Sequence, residues 1–536
     1  MYWYARWRTL VALILPVLIM GTTGCSLDSD NPVFPSYEGD EVLSESVTIT
    51  SQDQFEILAG VKRVYGYIYI RGTQVHDLSP LSDLEYCESL MIQDTAVISL
   101  EGLENLEIVQ RDLRIAYNHT LRDLDALASL ERVFTMVLQG NQLVQDLAVF
   151  RHTNVTDLQI ADMPEISSLA TLDAMEGLST LAIIRCEQLT QLPPQPVLSS
   201  LTRLTLGVLP ALAQLADSPI DFPLLTDLSL SDLPLIEDLT GLGEMSSLHS
   251  FGLWQMSSLS DLSGPSNLDN LATLSLMGPM AISDFSGLPS LPALYRLRIS
   301  DCRNLNSLGG FPDLPQLSDL ELNRLSLTGL GGLPALPSLT HLSISQFGSL
   351  HDLSGFPVMP RLERLSIGAC YALNNLGGLV DSTVPWQLEI VNCLFASIGT
   401  EYDLPNCKTL ILSSCNQLYS IDGIEVLTGL TGLDVRGCTM LRDFEGLQCL
   451  ETMEFINLSF NPSLASLNGL QGVHHLTDDL SITDNAQLHN LSGLGNLETV
   501  PDIRITDNPS LPQEAVISFV GGLDSWNTAV IRDNGS

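Results

Sequence analysis

From Val47 to Asn534 the apolar positions come in short alternating runs separated by polar corners. In "LTGLDVRGCTML" they are Leu430, Leu433, Val435, Cys438 and Leu441. In "TDDLSITDNAQL" they are Leu480, Ile482 and Leu488, with Asn485 at the corner. In "LYRLRISDCRNL" they are Leu294, Leu297, Ile299, Cys302 and Leu305. Alternation of period two predicts a short β-strand with two side chains turned inward and the one between them outward. The second inward residue of each strand is a ruler: Ile49, Ile70, Ile92, Ile115, Leu138, Ile160, Ile183, Leu206, Leu230, Leu253, Leu276, Ile299, Leu322, Ile344, Ile367, Ile390, Leu412, Val435, Leu458, Ile482 and Ile505. Successive steps lie between 21 and 24 residues. A step this constant predicts stacked coils forming one long body, not a string of separate domains.

The segments between the strands carry their own repeat. "SGLPSLPAL", "GGFPDLPQL", "GGLPALPSL" and "SGFPVMPRL" hold Pro289 and Pro292, Pro312 and Pro315, Pro334 and Pro337, and Pro357 and Pro360. One Pro-x-x-Pro has the shape of a ligand for a proline-reading domain. Recurrence of the first proline at steps of 23, 22 and 23 residues makes these segments a structural wall instead. Proline removes a helix donor and clashes with the preceding turn, so that wall is expected to be extended or short 3-10 structure. "SLGG" (Ser307 to Gly310) and "NLGG" (Asn375 to Gly378) allow tight backbone geometry there. At each corner an Asn or Cys is placed to hydrogen-bond a turn backbone that otherwise has unpaired groups.

These residues match the leucine-rich-repeat pattern L-x-x-L-x-L-x-x-N/C. Most repeats place the next leucine three residues after the corner, as in "NHTL" (Asn118 to Leu121) and "NPSL" (Asn461 to Leu464); "NQL" (Asn141 to Leu143) keeps the standard two. With "DLSPLSDL" (Asp77 to Leu84) and "SLEGLENLEIV" (Ser99 to Val109), the longer spacing resembles the receptor L-domain and internalin-type repeats of bacterial surface proteins. The expected fold is a right-handed parallel β-solenoid of about 21–22 repeats of about 23 residues, mostly β, with a C-terminal capping helix. "SVTITSQDQFEIL" (Ser46 to Leu58) is expected to form the first strand and turn. At the far end Pro512 opens a helix with Ala515 and Phe519 on one face, Gly521-Gly522 stops it, and "TAVIRDN" (Thr528 to Asn534) forms a last strand. The division is then 1–24 signal peptide, 25–45 flexible tether, 46–511 solenoid and 512–536 cap.

Of 536 residues, 45% are hydrophobic and 16% charged, as in a packed protein. The formal net charge is −40, with 23 basic residues of which only Lys62 and Lys408 are lysine. That balance argues against nucleic acid, which is bound by clustered positive charge, and against anionic membrane surfaces.

The chain opens "MYWYARWRTLVALILPVLIMGTTGCSLDSD". Arg6 and Arg8 precede an apolar run from Thr9 to Met20, too short for a membrane span and suited to a secretion signal. Gly24-Cys25 resembles the lipobox of bacterial lipoproteins, although Thr22 stands where that family usually has Leu. The resemblance implies lipidation of Cys25, a lipid anchor in the membrane and, with Ser26 rather than Asp next, an outer-membrane or cell-surface destination. Ser26 to about Glu45 has no periodicity and reads as a tether.

Six further cysteines occupy corners: Cys186, Cys302, Cys370, Cys393, Cys415 and Cys438. Disulfides or a metal ladder are conceivable between coils about 4.8 Å apart. Buried thiols in place of Asn are the reading preferred here. "TDN" (Thr483 to Asn485), "TDN" (Thr506 to Asn508) and "RDN" (Arg532 to Asn534) stack an Asp beside each corner, suiting calcium or, more simply, turn capping. Adjacent His474 and His475 are expected to point apart. Esterase elbow, zincin, phosphate-loop and paired zinc-cysteine motifs are absent, so neither an enzyme nor a cofactor is expected.

Function then rests on the outward face. In the middle of the chain it is small and polar: Ser229, Ser231, Gly252, Ser275, Ser300, Ser343, Ser345, Ser366 and Gly368. Trp254 and, one coil on, Met277 break that rule and are candidate ligand anchors. Arg296, Arg298, Arg324, His341 and Arg364 are assigned to nearby outward positions as a local basic patch, with Arg296 beside Asp319 and Arg298 beside Glu321. The expected function is a cell-envelope lipoprotein whose repeat surface binds a protein or glycan, in adhesion or recognition. The alternative is a periplasmic scaffold without a specific ligand.

Overall fold

The computed structural model describes residues 41–535 except 176, 356, 377–386, 395–405 and 422–426. The expected signal, Cys25 and most of the expected tether lie outside the described residues, as do Gly377 and Gly378.

Among the described residues, 23 strands form one parallel sheet. The register follows the ruler residue by residue. Ile49 lies opposite Ile70, Ile70 opposite Ile92, Leu253 opposite Leu276, Ile390 opposite Leu412, and Ile482 opposite Ile505. Ile531, in the strand Thr528–Arg532, extends the series beyond Ile505. The chain therefore has the leucine-rich-repeat fold, with each strand about 4.8 Å from the next and about 100 Å of sheet in all.

Most strands are five residues long, as in Leu228-containing Asp227–Ser231 and Arg296–Ser300. The early ones are longer: Arg63–Arg71, Tyr86–Gln93, Ile108–Ala116, Arg132–Gln139 and Asn154–Ala161. Their first inward residue is Val64, Cys87, Val109, Val133 or Val155, all buried. From Leu178 onward the equivalent place is mostly Leu, for example Leu201, Leu225 and Leu248. A β-branched side chain favours extended backbone, so the Val-bearing coils carry an additional short ladder. The two ladders are offset by register shifts between Val64 and Tyr67, Cys87 and Leu90, and Val109 and Asp112.

The return wall is turns and short 3-10 pieces such as Ser79–Leu81, Asp125–Leu127, Ala148–Phe150 and Ser492–Leu494. In the proline coils Gly310 and Gly332 have φ of 86° and 100°. A Cβ on Gly332 would come within 2.7 Å of the Gly309 backbone nitrogen, so glycine is required both for the conformation and for the stacking of wall on wall. The C-terminal helix is Gln513–Gly521, with Pro512 at its N-cap. Its buried stripe is Val516 and Val520, not Ala515 and Phe519: Ala515 is exposed and Phe519 only half-buried. The helix is turned one residue, about 100°, from the expected face.

The corners follow one hydrogen-bond rule. Asn118 Nδ2 donates to the carbonyl of Ile92, the ruler residue of the coil before, at 2.9 Å. Its Oδ1 accepts the Thr95 backbone N–H at 3.0 Å. Asn141, Asn461, Asn485, Asn508 and Asn534 repeat the donated bond to Ile115, Val435, Leu458, Ile482 and Ile505. In the middle of the chain the corner is filled instead by apolar Leu209, Leu233, Met256, Leu325 and Phe347, all buried. The residue just before the corner is left-handed, with φ between 51° and 61° at the non-glycine positions from Asp94 to Asp533.

Asn485→Ala leaves the Asn461 N–H and the Leu458 carbonyl without partners. Each orphaned group costs about 1–3 kcal/mol. Amide exchange at Asn461 is therefore expected to accelerate by one to two orders of magnitude, with Asn485→Cys intermediate because a thiol restores only the donor.

Candidate functional site

The structure places Trp254 at the outward end of the strand Ser250–Trp254, opposite Ser231 on one side and Met277 on the other. It does not stand free of the sheet. Its indole lies flat over Gly252, where any Cβ would overlap the ring. Gly252 is buried and Trp254 and Met277 are half-buried. Together they form one low apolar step on an otherwise small, polar face.

Arg296 and Arg298 project from the strand Arg296–Ser300. Arg296 pairs with Asp319 at 3.1 Å and Arg298 with Glu321 at 3.2 Å, the partners the register sets opposite them. Arg324 is not on the strand face. It is the left-handed residue after the strand Asp319–Asn323, with φ 52°. There it donates to Asp301 at 3.0 Å and Gln346 at 2.7 Å, both members of the same turn column. Its sequence position one residue past the strand end explains the misplacement. His341 and Arg364 are exposed and lie opposite one another in the row that holds Arg296 and Asp319. The His341 ring contacts the Thr340 hydroxyl at 2.9 Å. Three of the four arginines are thus neutralised by adjacent carboxylates, and exposed pairs of this kind contribute about 0–1 kcal/mol.

The corner cysteines repeat the donor half of the Asn rule. Cys302, Cys393 and Cys438 lie 3.8, 3.9 and 3.9 Å from the carbonyls of Leu276, Ile367 and Leu412, the ruler residues of the coils before. All the corner cysteines are buried free thiols. Burial pushes the Cys370 thiol up to about 11 and those of Cys302 and Cys393 to about 12. A hydrogen bond between Cys415 and Cys438, with burial, leaves the proton on Cys438. Cys186, Cys302, Cys370, Cys393 and Cys438 are packing groups with a weak donor and are held in the protonated, unreactive form, whereas the hydrogen bond from Cys438 lowers the Cys415 thiol. Cys87 and Cys407 are also buried, whereas Cys449 is exposed.

Asp484, Asp507 and Asp533 are the left-handed residues of their turns. The turn backbone is bonded by the Asn side chains, so Asp serves here as a residue that tolerates positive φ, not as the cap. Burial, with Asp507 beside it, raises the Asp484 carboxyl. His474 and His475 do not point fully apart: their rings, 6.4 Å between centres, flank the Glu498 carboxylate at 3.7 and 3.8 Å. His474 lies just before the two-residue strand His475–Leu476, so strand alternation does not set the two rings apart. Among the described residues no cluster of three metal-ligating side chains forms.

Two surfaces went unread in the sequence. Near the start, Tyr67 is exposed and the Arg71 guanidinium lies 5.3 Å from the Tyr69 ring. Near the end, a shallow depression of about 410 Å3 is lined by Arg436, Phe460, Asp484, Arg504, Asp507 and Arg532 among others. Its signal was present: "SFNPSL" puts Phe460 where the neighbouring coils have Gly437, Asp484 and Asp507.

No protein-family model matches the chain, and no curated protein matches it significantly. Solved structures resemble it as coils. The crystal structure of a TLR13–ssRNA13 complex is 17% identical with a TM-score of 0.45, covering 91% of this chain and 80% of that one. The circular leucine-rich-repeat protein CroV588 is 16% identical with a TM-score of 0.42, covering 92% and 72%. YopM from Yersinia enterocolitica WA-314 is 17% identical with a TM-score of 0.34, covering 89% and 87%. These likenesses concern the fold alone and say nothing of ligand.

Two outcomes follow. Gly252→Ala lifts the Trp254 indole off the sheet, read as a red shift in tryptophan emission that is absent in a Trp254→Phe background. The thiols are raised above the ordinary 9.0 in the fold, so their stabilisation is complete below pH 9.0 and is lost as pH climbs toward about 12. The urea midpoint should fall between pH 8 and pH 10 and fall less in Cys302→Ala/Cys393→Ala.

Proposed function

We propose that this chain is a cell-envelope lipoprotein, anchored through Cys25 and presenting its strand face to a protein or glycan in adhesion or recognition. The observation that carries the reading is the separation of duties in the coil. Among the described residues the inward strand positions are apolar and buried, whereas the outward positions vary from coil to coil in strands whose register stays regular. A surface of roughly twenty independent columns is a binding surface by construction, since function lives on exposed positions. The lipobox-like Gly24-Cys25 and the preceding signal support the anchor and an outer-membrane or surface location. The net charge of −40 supports leaving nucleic acid out of the partner class. Lack of any catalytic motif supports binding over turnover.

A second reading, a periplasmic scaffold without a specific ligand, is favoured by the run of Ser and Gly at outward positions from Ser229 to Gly368.

Protease added to intact producing cells separates the two. Loss of the solenoid while periplasmic controls survive is the expected outcome, together with release of Cys25→Ser from the membrane fraction. Survival until the envelope is broken supports the scaffold. On the surface reading, Trp254→Ala weakens binding of the purified chain to envelope preparations by tenfold or more; unchanged binding after replacement of every outward residue from Ser229 to Gly368 overturns it.

A further inference from the structure

We propose that the depression at the C-terminal end of the strand face binds a carboxylated saccharide, with Phe460 as the platform for a sugar ring and Arg504 as the carboxylate clamp. The proposal rests on the binding-surface reading above and deepens it.

Phe460 is the first observation. It occupies the left-handed column with φ 58° and is 61% exposed. A bulky L-residue is disfavoured in that conformation, and the coils on either side use Gly437, Asp484 and Asp507; Tyr117 and Val208 adopt it in earlier coils but are half-buried there, whereas Phe460 is exposed. An exposed ring recovers nothing from the core in exchange. Strain without a packing reason points to a functional one. Arg504 is the second observation. It is exposed in the row with Asn457 and Ser481, and no carboxylate lies within ion-pair reach of it among the described residues. Other arginines such as Arg364 also lack an acid among the described residues; Arg504 differs in lying in the same depression as the exposed Phe460, open to an incoming carboxylate.

The rest of the depression supplies what a sugar requires. The row Arg436, Ser459, Thr483, Thr506, Arg532 runs across consecutive coils, about 19 Å end to end at about 4.8 Å per strand. Of its hydroxyls Thr483 is the half-exposed one, Ser459 and Thr506 being buried, and the guanidiniums at its two ends are held by Asp434 and Asp533. Asp484 and Asp507 stand beside it as acceptors for ring hydroxyls. Phe460 presents an apolar face to the C–H side of a ring. The guanidinium of Arg504 takes a carboxylate in two parallel hydrogen bonds. An acidic peptide fits less well: the depression is shallow and, apart from Phe460, lined by polar side chains, whereas protein interfaces bury an apolar centre with anchors in pockets. A purely anionic ligand would also be repelled by Asp484 and Asp507, which a hydroxyl-bearing acid can use.

The test is an array of carboxylated oligosaccharides (uronate and sialate types) and their neutral counterparts, probed with the full chain purified in detergent, with polyglutamate as competitor. Expected are binding to carboxylated members only, weakened by salt, and a loss of tenfold or more in Arg504→Ala and in Phe460→Asn. Phe460→Asn relieves the backbone, so its melting temperature is unchanged or raised while binding falls, a combination that a structural role for Phe460 does not produce. A blank array, equal binding of neutral members, wild-type binding by either variant, or displacement by polyglutamate at equal concentration each overturns the proposal. Trp254-dependent attachment to envelopes that persists beside a blank array would sink this inference and leave the broader reading standing.

Discussion

Where a described coil turns at Asn, it buries backbone groups that its own strand cannot satisfy, and the corner side chain of the next coil satisfies them. Asn118 serves both Thr95 and Ile92 in the coil before it, and is itself served by Asn141 through a backbone N–H bond of 3.1 Å. The same relay runs from Asn461 through Asn485 and Asn508 to Asn534. A buried unpaired group costs more than a made bond gains, so the relay fixes coil spacing and register at once. Where the corner turns to Cys, only the donor survives; where it turns to Leu, Met or Phe, neither does, and packing of the apolar corner carries the turn.

That constraint acts inward and leaves the outward columns free. The strand Arg296–Ser300 pairs as regularly with Thr273–Met277, which carries Ser275 and Met277, as with Asp319–Asn323, which carries Glu321. Charge on the outer face is managed locally: acids and arginines meet across single strand spacings, as in Arg296 with Asp319 and Arg298 with Glu321. In the turn column Arg185 reaches Asp162 of the coil before through a 2.7 Å bond from its terminal nitrogen. Burial alone would raise the Asp162 carboxyl, but the Arg185 and Gln139 hydrogen bonds take it below its ordinary value. A recognition surface built on such a frame can change residue by residue without cost to the fold.

The fold was legible because its two signals are both periodic. Alternation of period two assigns Leu297 and Ile299 inward and Arg298 outward, and the 23-residue step puts Arg298 beside Glu321. What was not legible is what happens within one residue of a strand end. Arg324 reads as a strand residue by composition but lies in a left-handed turn, and the terminal helix buries Val516 and Val520 where spacing alone also allowed Ala515 and Phe519. Nor does a pattern state which way a large side chain falls: Trp254 is outward by alternation, and only the bare backbone of Gly252 lets the indole lie down. Side-chain lie depends on the shape of neighbours, which no count of positions carries.

The periodicity has a further use, because a repeat defines at every column what the backbone asks for. In the left-handed column it asks for Gly, Asp or Asn, and most coils near the C-terminus comply. Phe460 does not, and it gains no burial in return. In a non-repeating fold such a residue would be one odd torsion among many. Here the aligned coils supply a comparison: Tyr117, Val208 and Arg324 depart from the preference too but are half-buried, whereas Phe460 is exposed and lies on the rim of the depression that holds Arg504. A residue that departs from its column at a cost to the backbone, with no contact to offset it, is where selection on something other than folding has left its mark.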